Sequence, residues 1–192
     1  MGLRLLRRAK NFSASIFERR DQLLKKLPKN AICAEVGVFE GEFSQRILKK
    51  NNPTKLVLID AWSAQSMKDN SDVQTSFTQE KFDQTYLNVL TKLQKYDNVE
   101  IIRKNSVDAM NSFSDAYFDW VYIDASHEYQ DVLDDLEMTI IKVKSGGIIA
   151  GDDYVNAPNK WNDDVIRAVN DFSAKHGLHV KSINDQFMIQ LP

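Results

Sequence analysis

The chain has one cysteine, Cys33, among its 192 residues. An internal disulfide, a cysteine-based zinc cluster and a Cys-x-x-Cys redox pair are thereby excluded, and a reducing, cytoplasmic setting is the expectation. Glycine (7) and proline (4) are scarce, which removes collagen-like and low-complexity classes. No apolar run approaches the length needed to cross a bilayer. The net charge is −2, so there is no global basic field to hold nucleic acid. No uncharged apolar stretch follows the first arginines, which argues against a secretory signal. Leu6 stands where an N-myristoylation site after Gly2 needs Ser or Thr. A Gly-x-Gly-x-x-Gly dinucleotide fingerprint and a Walker lysine are both missing.

What remains is an ordinary globular composition, 43% apolar and 27% charged, of a length that suits one domain with a substantial core. The charge is uneven. Residues 1–29 hold nine basic side chains against Glu18 and Asp21, which is +7 and leaves −9 for the rest. We divide the chain into a basic N-terminal helical extension, 1–30, and a main domain, 31–192. The simplest role for the basic residues is a solvated helix face. An anionic partner or membrane surface, packing on a second subunit as a homo-oligomer, and covering a site are the other roles open to it.

Two apolar periods alternate along the chain. Phe12, Ile16, Phe17, Leu23, Leu24 and Leu27 recur at helical spacing up to Pro28. Ala31–Val36 reads as a buried strand ending at Gly37, Gly41–Lys50 as a helix, and Lys55–Ile59 as a strand ending at Asp60. Ser63–Thr78 is polar, without a period, and longer than usual βα connections, which suggests a lid or binding loop. A helix carrying Phe82, Tyr86, Leu87, Leu90 and Leu93 follows, then a strand Val99–Ile102 and a short helix Ser106–Phe113. Phe118–Ile123 is a fourth strand ending at Asp124, and Tyr129, Val132, Leu133, Leu136 and Ile140 mark the next helix. Gly146-Gly147 reads as a turn into a fifth strand, Ile148–Ala150. Trp161 to Phe172 gives the last helix, and Asn184-Asp185 joins a terminal hairpin.

This order predicts an α/β fold: a Rossmann-like, doubly wound sheet, mostly parallel, with a C-terminal antiparallel hairpin strand. Ligands in such sheets lie beyond the carboxyl ends of the strands. Gly37, Asp60, Asn105-Ser106, Asp124 and Asp152 each follow a predicted strand. Gly37 and Gly41 bracket the first strand-to-helix turn, where glycine admits close backbone approach. Asp60, closing the neighbouring strand, can accept hydrogen bonds from both hydroxyls of a ribose; capping a helix is its structural alternative. Ser106 fits an adenine edge or a helix cap equally.

A second constellation lies on the next two strands. Asp124, Asp152 and Asp153 should converge at one edge, which is costly without a cation. An all-oxygen set favours Mg²⁺, Mn²⁺ or Ca²⁺ over zinc. His127 falls at the start of the following helix, where the dipole disfavours a charged imidazole and leaves a ring nitrogen to accept a proton; a helix-capping or surface histidine is its structural alternative. Asp131, Asp134, Asp135 and Glu137 read as the exposed face of that helix.

The series EVGVFEG, LVLIDAW, WVYIDASHEY and GGIIAGDDY resembles the motif series of class I S-adenosylmethionine-dependent methyltransferases. Order and spacing resemble in particular the small, divalent-metal-dependent O-methyltransferases, including the group that methylates sugars of macrolide antibiotics. The likeness runs from about Ala31 to the C-terminus. It implies S-adenosylmethionine and Mg²⁺ (or Mn²⁺) as cofactors and a small hydroxylated molecule as acceptor, with no nucleic acid and no membrane span. The implied cofactor contacts are Glu35, Gly37, Val38, Phe39, Gly41, Ser44, Asp60, Ala61, Ser106 and Asp124. The implied metal ligands are Asp124, Asp152 and Asp153, and the implied catalytic groups are His127 and Asp124. Trp62 maps to no family position. The segments Ala61–Thr78 and Tyr154–Asn162, with Trp62, Met67, Phe77, Tyr154 and Trp161, should wall the acceptor site. A non-catalytic cofactor-binding module or partner subunit, a nicotinamide oxidoreductase and a nucleic-acid methyltransferase are the competing functions.

Overall fold

The computed structural model describes residues 18–66, 78–155 and 163–192. Residues 18–24 form a helix, α1. In chain order there follow β1 (Ile32–Val36), α2 (Glu42–Asn51), β2 (Lys55–Asp60), a 3₁₀ turn (Ala64–Ser66), α3 (Gln79–Leu93), β3 (Val99–Arg103) and α4 (Ser106–Met110). The second half is β4 (Phe118–Ile123), α5 (Tyr129–Lys142), β5 (Val143–Gly151), α6 (Asp164–His176), β6 (Val180–Ile183) and β7 (Gln186–Gln190).

The seven strands form one sheet in the order β3-β2-β1-β4-β5-β7-β6. β1 to β5 pair in parallel, and β7 runs antiparallel to both β5 and β6. This is the expected Rossmann-like arrangement. Alternate strand residues feed two cores, as a sheet covered on both faces requires. Ala34, Val36, Val57 and Ile59 pack with Ala109, Val132, Leu136, Val169 and Phe172 of α4, α5 and α6. Cys33, Leu56 and Leu58 pack with Leu23, Leu24, Phe43, Ile47, Val89 and Leu93 of α1, α2 and α3. Cys33 is thus a core residue, as its strand position suggests. The described part of the basic extension shares this second core: Leu23 and Leu24 are 0% and 1% exposed.

One expectation is corrected. Gly146-Gly147 does not turn the chain before the fifth strand but lies inside it, since β5 begins at Val143, directly after α5. The register slips between the Phe118–Val143 and Trp120–Ile148 pairs, which marks a bulge. A side chain at Gly147 would meet the Asp119 and Lys144 carbonyls at 2.8 Å. The glycine pair therefore admits the extra residues without breaking the strand.

The chain order reverses between β1 and β4, and their ends are tied by backbone bonds. Asp124 N donates to Val36 O (2.7 Å), and Gly37 N donates to Ile59 O (2.9 Å). Gly37 has φ +88°, and a Cβ there would stand 1.9 Å from the Asp124 carbonyl oxygen. The glycine is thus required by a neighbouring strand as well as by any ligand. Gly37→Ala is expected to destabilise the fold by more than ~2 kcal/mol, because backbone must move on one side or the other. Urea unfolding measures it; a loss of a few tenths would show that the turn adapts.

Candidate functional site

A cavity of about 520 Å³ opens at this reversal, beyond the carboxyl ends of β1, β2, β3 and β4. The volume suits a nucleoside-sized ligand. Gly37, Phe39, Asp60, Ala61, Ser106 and Asp124 line it, as the sequence led us to expect. Glu35, Val38, Gly41 and Ser44 are not in its lining and act behind it.

Asp60 fixes the glycine turn. Its Oδ2 accepts from Val38 N and Phe39 N, both at 2.9 Å, and its Oδ1 accepts from Trp62 N at 2.7 Å. The carboxylate therefore holds the loop that approaches the ligand while facing the cavity. Trp62 is not an acceptor wall but core: it is fully buried, and its Nε1 donates to Phe39 O at 2.9 Å. Both Phe39 and Trp62 take a positive φ, a strain that this shared network sustains. Tyr154, the other described wall residue, donates its hydroxyl to Asn170 Oδ1 at 2.7 Å. Met67, Phe77 and Trp161 lie outside the described residues.

Glu35 is buried on the α2 side of β1 and accepts a 2.5 Å hydrogen bond from Ser44 Oγ. Burial pushes its carboxyl up to about 8, the serine bond opposing. At neutral pH it is a polar brace between β1 and α2 rather than a charge.

The far end of the cavity is acidic. Asn105, not Ser106, caps α4: its Oδ1 accepts from Asp108 N at 2.8 Å. Ser106 is left to the cavity wall, where it hydrogen-bonds Asp135. Asp135 corrects the expected exposed face, for it is only 5% exposed, and burial pushes its carboxyl up to about 6. Asp131 and Asp134 also line the cavity. Sequence reasoning missed these three. The available signal was the i, i+4 spacing of Asp131 and Asp135, which stacks them on one stripe of α5 beside the Val132–Leu136 core stripe.

Five aspartates therefore line the cavity, and no lysine or arginine does among the described residues. Such a pocket favours hydroxyls, amines and a sulfonium, and repels a pyrophosphate. This disfavours a nicotinamide dinucleotide on physical grounds, alongside the missing fingerprint.

The second constellation forms at the ends of β4 and β5. Asp124, His127 and Asp153 can present donor atoms all within 4.8 Å of one another. His127 Nε2 lies 2.7 Å from Asp153 Oδ2. Asp152 meets Asp124 at one Arg20 nitrogen, which bonds the Oδ2 of each. Asp153 sits at φ +54°, and this left-handed turn sends two successive carboxylates to different partners. Asp152 is held by Arg20, which also bonds Asp124 Oδ2 at 2.7 Å. Arg20 thus corrects the picture of a solvated basic face; it was not among the expected site residues, and a single arginine in a basic helix carried no distinguishing signal.

The charges are tightly interdependent. Burial pushes both Asp124 and Asp152 up, Asp152 to about 6, while Arg20 draws both down. Burial opposes the Arg20 charge, but Asp124 and Asp152 outweigh it and hold the guanidinium above its ordinary range.

Glu35 generates a pH test. Folding raises its carboxyl from 4.5 to about 8, so the folded protein holds a proton that the unfolded chain releases in that window. Its contribution to stability falls as pH rises through the window. Glu35→Gln keeps the shape of the neutral acid and should flatten this slope, with the largest gain over the parent at the alkaline end. Urea unfolding across the window measures it; an unchanged slope would place the responsible proton elsewhere.

The comparisons with known proteins agree with this geometry. Residues 34–154 match the model of a family described as a methyltransferase domain. No curated protein matches the chain by sequence. Among solved structures, a structural-genomics protein from Corynebacterium glutamicum superposes with TM-score 0.62 at 15% identity, covering 95% of this chain and 87% of that one. The O-methyltransferase NovP gives 0.58 at 16%, covering 90% and 76%. Fibrillarin of Aeropyrum pernix, solved with natively bound S-adenosyl-L-methionine, gives 0.57 at 12%, covering 85% and 66%. These likenesses show the fold. With the family match over most of the chain, an acidic nucleoside-sized cavity and the glycine turn at its mouth, the chain belongs to the methyltransferase-domain family and is a class I S-adenosylmethionine-dependent methyltransferase.

Proposed function

We propose that the protein methylates a hydroxyl oxygen of a small molecule, with a divalent ion, Mg²⁺ or Mn²⁺, received at the edge formed by Asp124, Asp152 and Asp153. The observation that carries this reading is the gathering of Asp124, His127 and Asp153 beside the cofactor cavity. The likeness to NovP, an O-methyltransferase, supports it.

The residues present fit such an ion. Three carboxylates stand near one guanidinium, leaving two negative charges that one divalent cation balances. Carboxylate oxygens are the donors that Mg²⁺ and Mn²⁺ prefer. When bound, the ion lowers the pKa of a coordinated hydroxyl and fixes its position.

The remaining work falls to the chain. Methyl transfer is an in-line displacement: the oxygen–carbon bond forms as the carbon–sulfur bond breaks, and S-adenosylhomocysteine leaves. His127 accepts the hydroxyl proton, and Asp153, at 2.7 Å, orients the ring and stabilises its charged form. The cavity aspartates draw in the sulfonium cofactor. A sugar diol or a catechol-like ring is the acceptor chemistry that two adjacent metal-facing oxygens suit. The buried lone Cys33 is in keeping with a reducing, cytoplasmic setting.

Incubation with labelled cofactor and a panel of diols, catechols and glycosides tests this directly. Transfer to oxygen should require Mg²⁺ or Mn²⁺ and stop with chelator; transfer that persists in chelator overturns the metal's part. His127→Ala and Asp153→Ala should lower turnover by about 100-fold or more, with cofactor affinity changed much less. Equal loss of both quantities in both variants would overturn the assigned roles.

A further inference from the structure

The cavity is lined by charge of one sign, but the cofactor carries both. S-adenosylmethionine bears a sulfonium, an ammonium and a carboxylate, and S-adenosylhomocysteine keeps the last two. The sulfonium and the ammonium suit the five aspartates. The carboxylate is repelled by them and meets no lysine or arginine in the lining among the described residues. A cation stands directly behind the wall. Arg20 Nη2 bonds Asp124 Oδ2 at 2.7 Å, and Asp124 lines the cavity. The guanidinium lies over the Phe43 ring, 5.3 Å from its centroid, and Phe43 comes two residues after Gly41 of the glycine turn. The helix that carries Arg20 is firmly held. Asp21 accepts from Arg46 Nε at 2.8 Å and pairs with Lys50 at 3.0 Å. Arg19 pairs with Asp185 in the β6–β7 turn, and Leu23 and Leu24 are anchored in the core.

Two donors around Phe43 are unused. Arg20 Nε and the Tyr122 hydroxyl are both buried, and neither has a hydrogen-bond partner among the described residues. Tyr122 is fully buried, and its ring centroid lies 4.4 Å from that of Phe43. A buried donor without an acceptor is costly, and an arriving anion recovers that cost. We infer that Arg20 is a cofactor-binding residue: its guanidinium, together with the Tyr122 hydroxyl, takes the carboxylate at the amino-acid end of the cofactor. A guanidinium suits this double duty. Nη2 is spent on Asp124 and Asp152, while Nε remains for a further acceptor in the same plane. The charge is permanent, so one side chain both moderates the acidic edge and admits an anion to an acidic cavity. Arg20 also lies outside residues 34–154, which match the methyltransferase family. The basic extension thereby supplies a contact that the matched stretch does not. This role concerns the cofactor alone and needs no divalent ion.

Calorimetric titration of the full-length protein in chelator tests the inference with two ligands. One is S-adenosylhomocysteine; the other is its decarboxylated analogue, S-adenosyl-3-thiopropylamine, which keeps the amine and loses only the carboxylate. The parent should prefer S-adenosylhomocysteine by about tenfold or more. Arg20→Gln should weaken S-adenosylhomocysteine by about tenfold or more and leave the analogue within about threefold of the parent, so that the preference disappears. Tyr122→Phe keeps the ring in the core and should weaken S-adenosylhomocysteine by about threefold, again without moving the analogue. Arg20→Lys keeps the charge without the fork and should retain part of the preference. The analogue reports whether each variant still forms the cavity. Equal binding of the two ligands by the parent would show that no cation meets the carboxylate, and this needs no variant. A preference that survives Arg20→Gln would give the carboxylate to another residue. An equal loss of both ligands in Arg20→Gln would make Arg20 a support of the fold. Each of these three results overturns the inference, and each leaves the metal reading to its own test.

Discussion

Carboxylates crowded at the ends of two neighbouring parallel strands repel one another unless positive charge reaches them, and this constraint governs the site. The parallel pairing of β4 with β5 brings the carbon atoms bearing Asp124 and Asp152 together whatever their charges prefer. The fold answers with Arg20, carried in from a helix that packs beneath the same edge. The guanidinium is favoured there because it is planar, bears several donors and keeps its charge in a partly dry setting. It neutralises only part of the cluster. What is left over is an electrostatic demand for a further cation, and that demand is the physical root of the proposed chemistry.

The rest of the site is organised around keeping this edge in register with the cavity beyond β1, β2 and β3. Gly37 lets β1 run close to the Asp124 carbonyl, so the nucleoside turn and the acid cluster are set by one another. Asp60 then draws in the Val38 and Phe39 amides and the Trp62 amide, which fixes a strained loop without a ligand. Such preorganisation lowers the ordering cost of binding. Glu35 contributes from behind. Kept neutral by burial, it links β1 to α2 through Ser44 and adds little to the charge crowding in front of it.

Much of this was legible in the sequence, because it rests on periodicity and on the strand-end rule. The apolar runs from Ala31 to Val36 and from Lys55 to Ile59 have few folded outcomes, and the residues that end each strand fell where ligands bind in such sheets. The cavity residues Gly37, Asp60, Ser106 and Asp124 were therefore found one strand at a time. What escaped were features created by contact across long separations. Arg20 and Asp152 are 132 positions apart, and nothing local distinguishes Arg20 from Arg19, whose partner is a remote turn. Asp135 looked solvated because aspartate on a helix usually is; its burial against Ser106 depends on how α5 docks beside α4. Gly146-Gly147 looked like a turn because glycine pairs usually are, and only the bulge opposite Asp119 shows why a strand would tolerate them.

The sign of the charge gives the cavity a direction. In the function proposed here, its five aspartates would face a cofactor that carries a sulfonium before transfer and a neutral thioether after it. A pocket of net negative potential holds the first more strongly than the second, so the field that recruits the methyl donor also loosens the spent product. A cation added at the Asp124–Asp153 edge screens that field most strongly at the reacting end and least at Asp131, Asp134 and Asp135 around the far end. On the proposed function the two acidic ends would have separable tasks: one would attract the nucleoside through hydrogen-bond acceptors, and the other would concentrate negative charge beside Arg20 where a metal is received.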